Sequence, residues 1–196
     1  MLDSKARKMI QPIFDNSANF FIKRNISANQ VTLIAFIIGL IPAIMIYFNI
    51  PTIIAIATLW FSGFLDAVDG TVARKTKTSS PFGTIMDITF DRLVEISLLL
   101  VFALKYSTNV MAFVLLACSI IVSMTIFLTV GAASDKVSEK TFYYQAGLAE
   151  RTEGFIMFSI MAFLPQYIDI IALIFSAMII ITASQRFYEA YRFFKE

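Results

Sequence analysis

The chain has 196 residues, 58% of them hydrophobic and 15% charged, with 20 Phe and a formal net charge of +2. That is more apolar surface than a soluble domain of this size can bury, so a soluble fold, a disordered chain and a disulfide-stapled domain are excluded. The small net charge argues against a nucleic-acid partner, and with no His and one Cys the chain lacks Ser/His/Asp triads, Cys/His pairs and His-based metal sites.

In the first 26 residues, Ala6, Met9, Ile10, Ile13, Phe14 and Phe21 recur at helical spacing, while Lys5, Lys8, Asp15 and Lys23 punctuate the rest. This pattern predicts an amphipathic helix lying on the membrane surface, bent or divided at Pro12. Six apolar runs of about 20 residues follow, at 29–48, 52–73, 83–104, 109–133, 148–164 and 168–188. Asn49-Ile50-Pro51, Ser107-Thr108-Asn109 and Pro165-Gln166 read as short turns between antiparallel neighbours. The expected fold is an all-α integral membrane protein: a six-transmembrane-helix bundle over 27–196, preceded by an N-terminal amphipathic interfacial segment over 1–26. Cys118, alone in the fourth span, reads as a small packing residue.

Basic residues give the orientation. Lys5, Arg7, Lys8, Lys23 and Arg24 precede the first span, Arg74, Lys75 and Lys77 follow the second, Lys136 and Lys140 follow the fourth, and Arg186, Arg192 and Lys195 end the chain. Only Lys105 falls on the other side. By the positive-inside rule both termini and the two charged loops are cytoplasmic.

Asp66 and Asp69 lie near the cytoplasmic end of the second span, and Asp87 and Asp91 in the first turns of the third. Spacings of three and four residues put each pair on one helix face. Because the two spans are consecutive and antiparallel, both pairs lie at one level and can converge. Converging like charges raise one another's pKa unless a cation neutralises them, and oxygen donors alone favour Mg²⁺ or Mn²⁺ over zinc. Phosphoryl transfer with one or two such ions is the chemistry this suits. Gly70 and Gly83 leave room at the mouth, and Arg74 can reach a diphosphate with a planar fork of donors, although close helix packing and a cytoplasmic anchor explain these residues equally well. Glu95, one turn deeper than Asp91, either orients it or pairs with Arg92, the pairing being favoured.

Taken together, Asp66-x2-Asp69-Gly70-x2-Ala73-Arg74-x8-Gly83-x3-Asp87-x3-Asp91 resembles, at every defined position, the signature of the CDP-alcohol phosphotransferase (CDP-alcohol phosphatidyltransferase) family. The six-span layout behind an amphipathic helix is also similar to that family. The resemblance implies a membrane enzyme of phospholipid biosynthesis in which an alcohol displaces CMP from a CDP-alcohol. It implies Asp66, Asp69 and Asp87 as metal ligands, and Asp91 as the general base and a neighbour of the metals, with two divalent ions, Mg²⁺ or Mn²⁺. Gly70, Ala73, Arg74 and Gly83 would surround the CDP moiety together with Asp66 and Asp69. Asn29-x2-Thr32 resembles a weaker family element near the nucleotide, usually preceded by Pro; Ala28 stands there, and Asn29 also suits a helix cap.

For the acceptor, Lys140 and Arg151 are the candidate phosphate or carboxylate binders, although Glu150 and Glu153 can neutralise Arg151. Ala149-Glu150-Arg151 resembles part of a pattern in phosphatidylinositol-phosphate synthases, but Gly154 replaces its second Arg. Lys140-Thr141-Phe142-Tyr143-Tyr144 is more similar to other bacterial branches. Glycerol 3-phosphate, inositol phosphate, serine and simpler alcohols stay open as acceptors. The resemblance favours CDP-diacylglycerol as donor, and a soluble CDP-alcohol with a lipid acceptor uses the same chemistry. Membrane lipids surround the chain, a bacterial or archaeal cytoplasmic membrane is the expected location, and apolar outer faces permit a homodimer. The rival reading is a cation- or proton-coupled transporter, because acids inside spans mark ion pathways; carboxylates gathered at one membrane face and the lack of paired broken helices count against it.

Overall fold

The computed structural model describes residues 2–134 and 151–195, with side chains over 11–133 and 151–195. The described residues form α-helices and one 3₁₀ turn, without strands, in two compact units divided after Lys105.

The first unit contains α1 (Leu2–Lys23), α2 (Ala28–Tyr47), α3 (Thr52–Thr76) and α4 (Pro81–Lys105). Pro12 does not divide α1: it removes one backbone donor, and the helix runs on through it. One face of α1 packs on α3, where Ala18 is fully buried in a cluster with Ala28, Val68 and Val72, flanked by Phe14, Phe21, Ile22 and Phe64. The opposite face leaves Ile13 and Phe20 exposed. Lys75 of α3 reinforces the contact, reaching the Asp15 carboxylate at 3.1 Å and the Asn19 side-chain oxygen at 3.0 Å.

Asn25 turns the chain between α1 and α2 in the left-handed region, at φ 56°. Ser27 then caps α2: its hydroxyl accepts from the Gln30 N–H at 3.4 Å, while the Gln30 side-chain oxygen accepts from the Ser27 N–H at 2.8 Å. At the far end of α2, the Lys105 ammonium donates to the carbonyls of Ile46 and Tyr47. A cation at a helix C-terminus satisfies carbonyls that have no intrahelical partner, which accounts for the one basic residue on the predicted outer side. α3 ends on Lys77 in the left-handed conformation, with the Thr78 N–H returning to the Ala73 carbonyl at 3.0 Å.

The second unit contains α5 (Val110–Ser134), α6 (Arg151–Phe163), a 3₁₀ turn (Pro165–Tyr167) and α7 (Ile168–Lys195). α5 packs along α7, and α6 also packs on α7. The Asp169 carboxylate at the start of α7 grips the turn before α5: it accepts from the Ser107 hydroxyl at 2.7 Å, the Thr108 hydroxyl at 2.6 Å and the Thr108 and Asn109 N–H groups at 3.1 Å.

Helices occupy each of the six predicted apolar runs. Four stretches among the described residues are long and apolar enough to cross a membrane: Ala28–Tyr47, Thr52–Thr76, Val110–Ala133 and Pro165–Lys195. α4 is 25 residues long but carries Asp87, Asp91, Arg92 and Glu95, and α6 shows 13 residues because its predicted start at 148–150 lies outside the described residues.

Candidate active site

α3 and α4 bring their carboxylates together. One oxygen each from Asp66, Asp69 and Asp87 lie within 4.8 Å of one another; Asp69 is buried, and Asp66 and Asp87 are half-buried. The helical spacing within α3 and the short link between the helices produce this convergence from residues separated by as many as 21 positions. Asp91 follows one turn later on α4, half-buried and outside the trio. The donor set fits a metal: carboxylate oxygens gathered this closely repel unless a cation lies among them, and their hardness matches Mg²⁺ or Mn²⁺. Glu95 is engaged differently, by the Arg92 guanidinium at 2.5 Å, so the pairing reading holds for it.

The remaining motif residues lie around the mouth. A Cβ on Gly70 would stand 3.3 Å from an Arg74 guanidinium nitrogen, and the other Arg74 nitrogen donates to the Thr71 hydroxyl at 3.0 Å. The guanidinium therefore folds back over its own helix, across the space that glycine leaves. A Cβ on Gly83 would lie 3.2 Å from the Asn29 side-chain oxygen and 3.3 Å from the Ser80 hydroxyl, which itself accepts from the Gly83 N–H at 3.0 Å. Gly83 thus brings the first turn of α4 against Asn29. Asn29 is not the cap of α2, because Ser27 takes that place, and its side chain is exposed. Thr32 is buried and its hydroxyl donates to the Ala28 carbonyl at 3.0 Å. Ala73 packs beside the Ala18, Ala28, Val68 and Val72 cluster.

Next to Asn29 is an open cavity of about 340 Å³, lined by Ile22, Asn25, Ile26, Ser27, Ala28, Asn29, Thr76 and Thr78. Of the predicted nucleotide-side residues only Asn29 lines it. Sequence reasoning did not single out Asn25, Ser27, Thr76 or Thr78; their polar side chains flanking helix ends were the available signal.

Arg151 is the first described residue of α6, half-buried, with its guanidinium 5.7 Å from the Phe155 ring centroid. Lys140 lies outside the described residues, as do Glu150 and the 140–144 stretch.

Comparison with known proteins gives the same direction. A 101-residue stretch is 36% identical to the archaetidylinositol phosphate synthase of Pyrococcus horikoshii, covering 52% of this chain and 53% of that relative, so about half the length of each is matched. The fold is similar to that of the Mycobacterium tuberculosis phosphatidylinositol phosphate synthase with CDP-DAG bound, at a TM-score of 0.74 and 17% identity, over 92% of this chain and 94% of that one. The same enzyme in complex with manganese and citrate superposes at a TM-score of 0.73 and 17% identity, over 91% and 88%. The family model for CDP-alcohol phosphatidyltransferases matches residues 25–185, a stretch that includes the whole carboxylate motif. With that match spanning most of the chain, this integral membrane protein belongs to the CDP-alcohol phosphatidyltransferase family.

Proposed function

We propose that the protein transfers the substituted phosphoryl group of a CDP-alcohol, CDP-diacylglycerol being the donor favoured, to the hydroxyl of a small polar alcohol with release of CMP. The observation that carries this reading is the convergence of Asp66, Asp69 and Asp87, whose carboxylate oxygens lie within 4.8 Å, inside the family's motif spacing. These residues would hold two divalent ions, Mg²⁺ or Mn²⁺. Bound there, the ions offset the charge of the diphosphate and of the attacking and leaving oxygens.

The chain's own residues do the rest. Asp91 accepts the proton of the acceptor hydroxyl as its oxygen bonds to the lipid-bearing phosphorus and the bond from that phosphorus to CMP breaks. Arg74 swings from Thr71 to the diphosphate, and Gly70, Ala73, Gly83, Asn29 and Thr32 border the CDP moiety. Lys140 and Arg151 hold the acceptor.

The bundle is read as six spans over 27–196, with 1–26 on the cytoplasmic surface and both termini and the site facing the cytoplasm, in keeping with the distribution of basic residues. A homodimer suits its apolar outer faces. The manganese complex and CDP-DAG complex of the M. tuberculosis relative support the metal and the donor. The names of relatives favour a phosphorylated polyol acceptor, and Gly154 in place of a second Arg counts against inositol phosphate.

Purified protein with CDP-diacylglycerol and Mg²⁺ or Mn²⁺ tests this against glycerol 3-phosphate, inositol phosphate, inositol, serine, glycerol and choline, reading CMP and the lipid product by mass spectrometry. Metal-dependent CMP release with one acceptor is expected. No CMP from CDP-diacylglycerol or from soluble CDP-alcohols with lipid acceptors would overturn it.

A further inference from the structure

The two helices that carry the carboxylate trio are held apart by a third. α3 and α4 both pack closely on α2 and scarcely on each other among the described residues, so α2 sets their separation. The tightest point is at Gly39. A Cβ there would lie 2.6 Å from one Val94 methyl, 3.4 Å from the other, and 2.7 Å from the Ser62 hydroxyl. Real Cβ atoms essentially never stand closer than 3.0 Å to a neighbour, so an added methyl demands a shift of about half an ångström or more at Val94 and Ser62.

Neither neighbour gives way readily. The Ser62 hydroxyl is buried and donates to the Ala35 carbonyl of α2 at 2.8 Å, which fixes its rotamer. Val94 is buried, and a β-branched side chain in a helix is confined to essentially one χ1. Ser62 stands one turn from Asp66, and Val94 less than one turn from Asp91 and two turns from Asp87. The stacked rings of Phe36 and Phe90, 4.2 Å between centroids, tie α2 to α4 about one turn from this point, on the side of the carboxylates. The junction therefore lies about one turn along the helices from the carboxylates.

We infer that Gly39, with Ser62 and Val94, is a positioning residue for the metal site: by letting α2 approach both helices it fixes the distance between Asp66 and Asp69 on one side and Asp87 on the other. This rests on the metal reading proposed above. Metal sites hold ligand distances to about 0.2 Å, below the shift that a methyl at position 39 imposes.

Mn²⁺ binding to the purified full chain, followed by electron paramagnetic resonance, is the test. Gly39→Ala weakens Mn²⁺ binding on the order of 10- to 100-fold while the protein stays folded and monodisperse. Adding Val94→Ala opens one side of the junction and recovers most of the lost affinity. Gly131→Ala, at a glycine with nothing within 4 Å of its Cβ position, is the matched control and binds as the parent does. If the parent binds no Mn²⁺, the metal reading itself falls, and this inference with it. If the parent binds and Gly39→Ala binds equally well, or Val94→Ala brings no recovery, only the positioning role is overturned. Should Gly39→Ala fail to fold, Ser62→Ala, which removes the Ala35 tie without adding bulk, decides: several-fold weaker Mn²⁺ binding supports the role, and unchanged binding overturns it.

Discussion

Asp91 stands one turn along α4 from Asp87, beside the three carboxylates whose oxygens lie within 4.8 Å of one another, where a base next to the proposed metals would stand. Asp91→Asn keeps shape and removes the proton acceptor. Its kcat should fall by about 10²- to 10⁴-fold while Mn²⁺ and CDP affinities stay near those of the parent, as read by single-turnover CMP release and equilibrium binding. Turnover near the parent value would remove Asp91 from the mechanism. Gly70 has a similarly specific place, since its missing side chain is the space that the Arg74 guanidinium crosses. Gly70→Ala should therefore act on donor binding, raising the donor KM more than it lowers kcat. The carboxylate trio was legible in the sequence because spacings of three and four residues translate directly into helix faces. The meeting of Gly83 with Asn29 was not, because they are 54 positions apart and only the folded helices bring them together. The cap of α2 is written in the sequence as a Ser-x-x-Gln pattern at Ser27, two residues before Asn29.

Between elements, a few polar ties fasten the helix ends. Lys75 joins α3 to α1, and its hydrogen bond to Asp15 is the chief reason that the Asp15 carboxyl titrates below its ordinary 3.8. A carboxyl with a lowered folded pKa stabilises the contact above its unfolded value and stops doing so as pH falls through the folded one. The protection factors of α1 amides, exchange rates divided into their intrinsic values at each pH, should thus be constant from neutral pH down to the ordinary carboxylate range and fall below it. In Lys75→Gln that step should shrink, with Gln11 and Arg74 the lesser causes that remain; a step of unchanged size would place the titration elsewhere. Asp169 makes the corresponding tie in the second unit, with four bonds to the turn before α5. Asp169→Ala leaves those donors to water and should cost about 1–2 kcal/mol after solvent screening, measured as a lower Tm in detergent. The turn at Ser107-Thr108-Asn109 was legible from its residue types, but its partner 60 positions away was not.

For the whole molecule, composition settled the membrane class, and the apolar runs located the ends of six helices closely, except at the 148–150 start of the fifth, which lies outside the described residues, and at the end of α7, which runs past the predicted 188 to Lys195. Pro12 does not divide α1, because a proline costs a helix one donor without necessarily ending it. α4 separates fold from function most clearly: the charges that keep it from looking like an ordinary span are those of the proposed chemistry, with Arg92 and Glu95 neutralising each other. A chain that spends stability to gather carboxylates in an apolar bundle should depend on the cation that offsets them. The most direct measurement is CMP release from CDP-diacylglycerol by the parent and by Asp87→Asn, with the preferred acceptor, before and after chelation. Release should stop on chelation, return with Mg²⁺ or Mn²⁺, and be lost in Asp87→Asn. Release that survives chelation, or an Asp87→Asn variant as active as the parent, would contradict the metal-dependent reading.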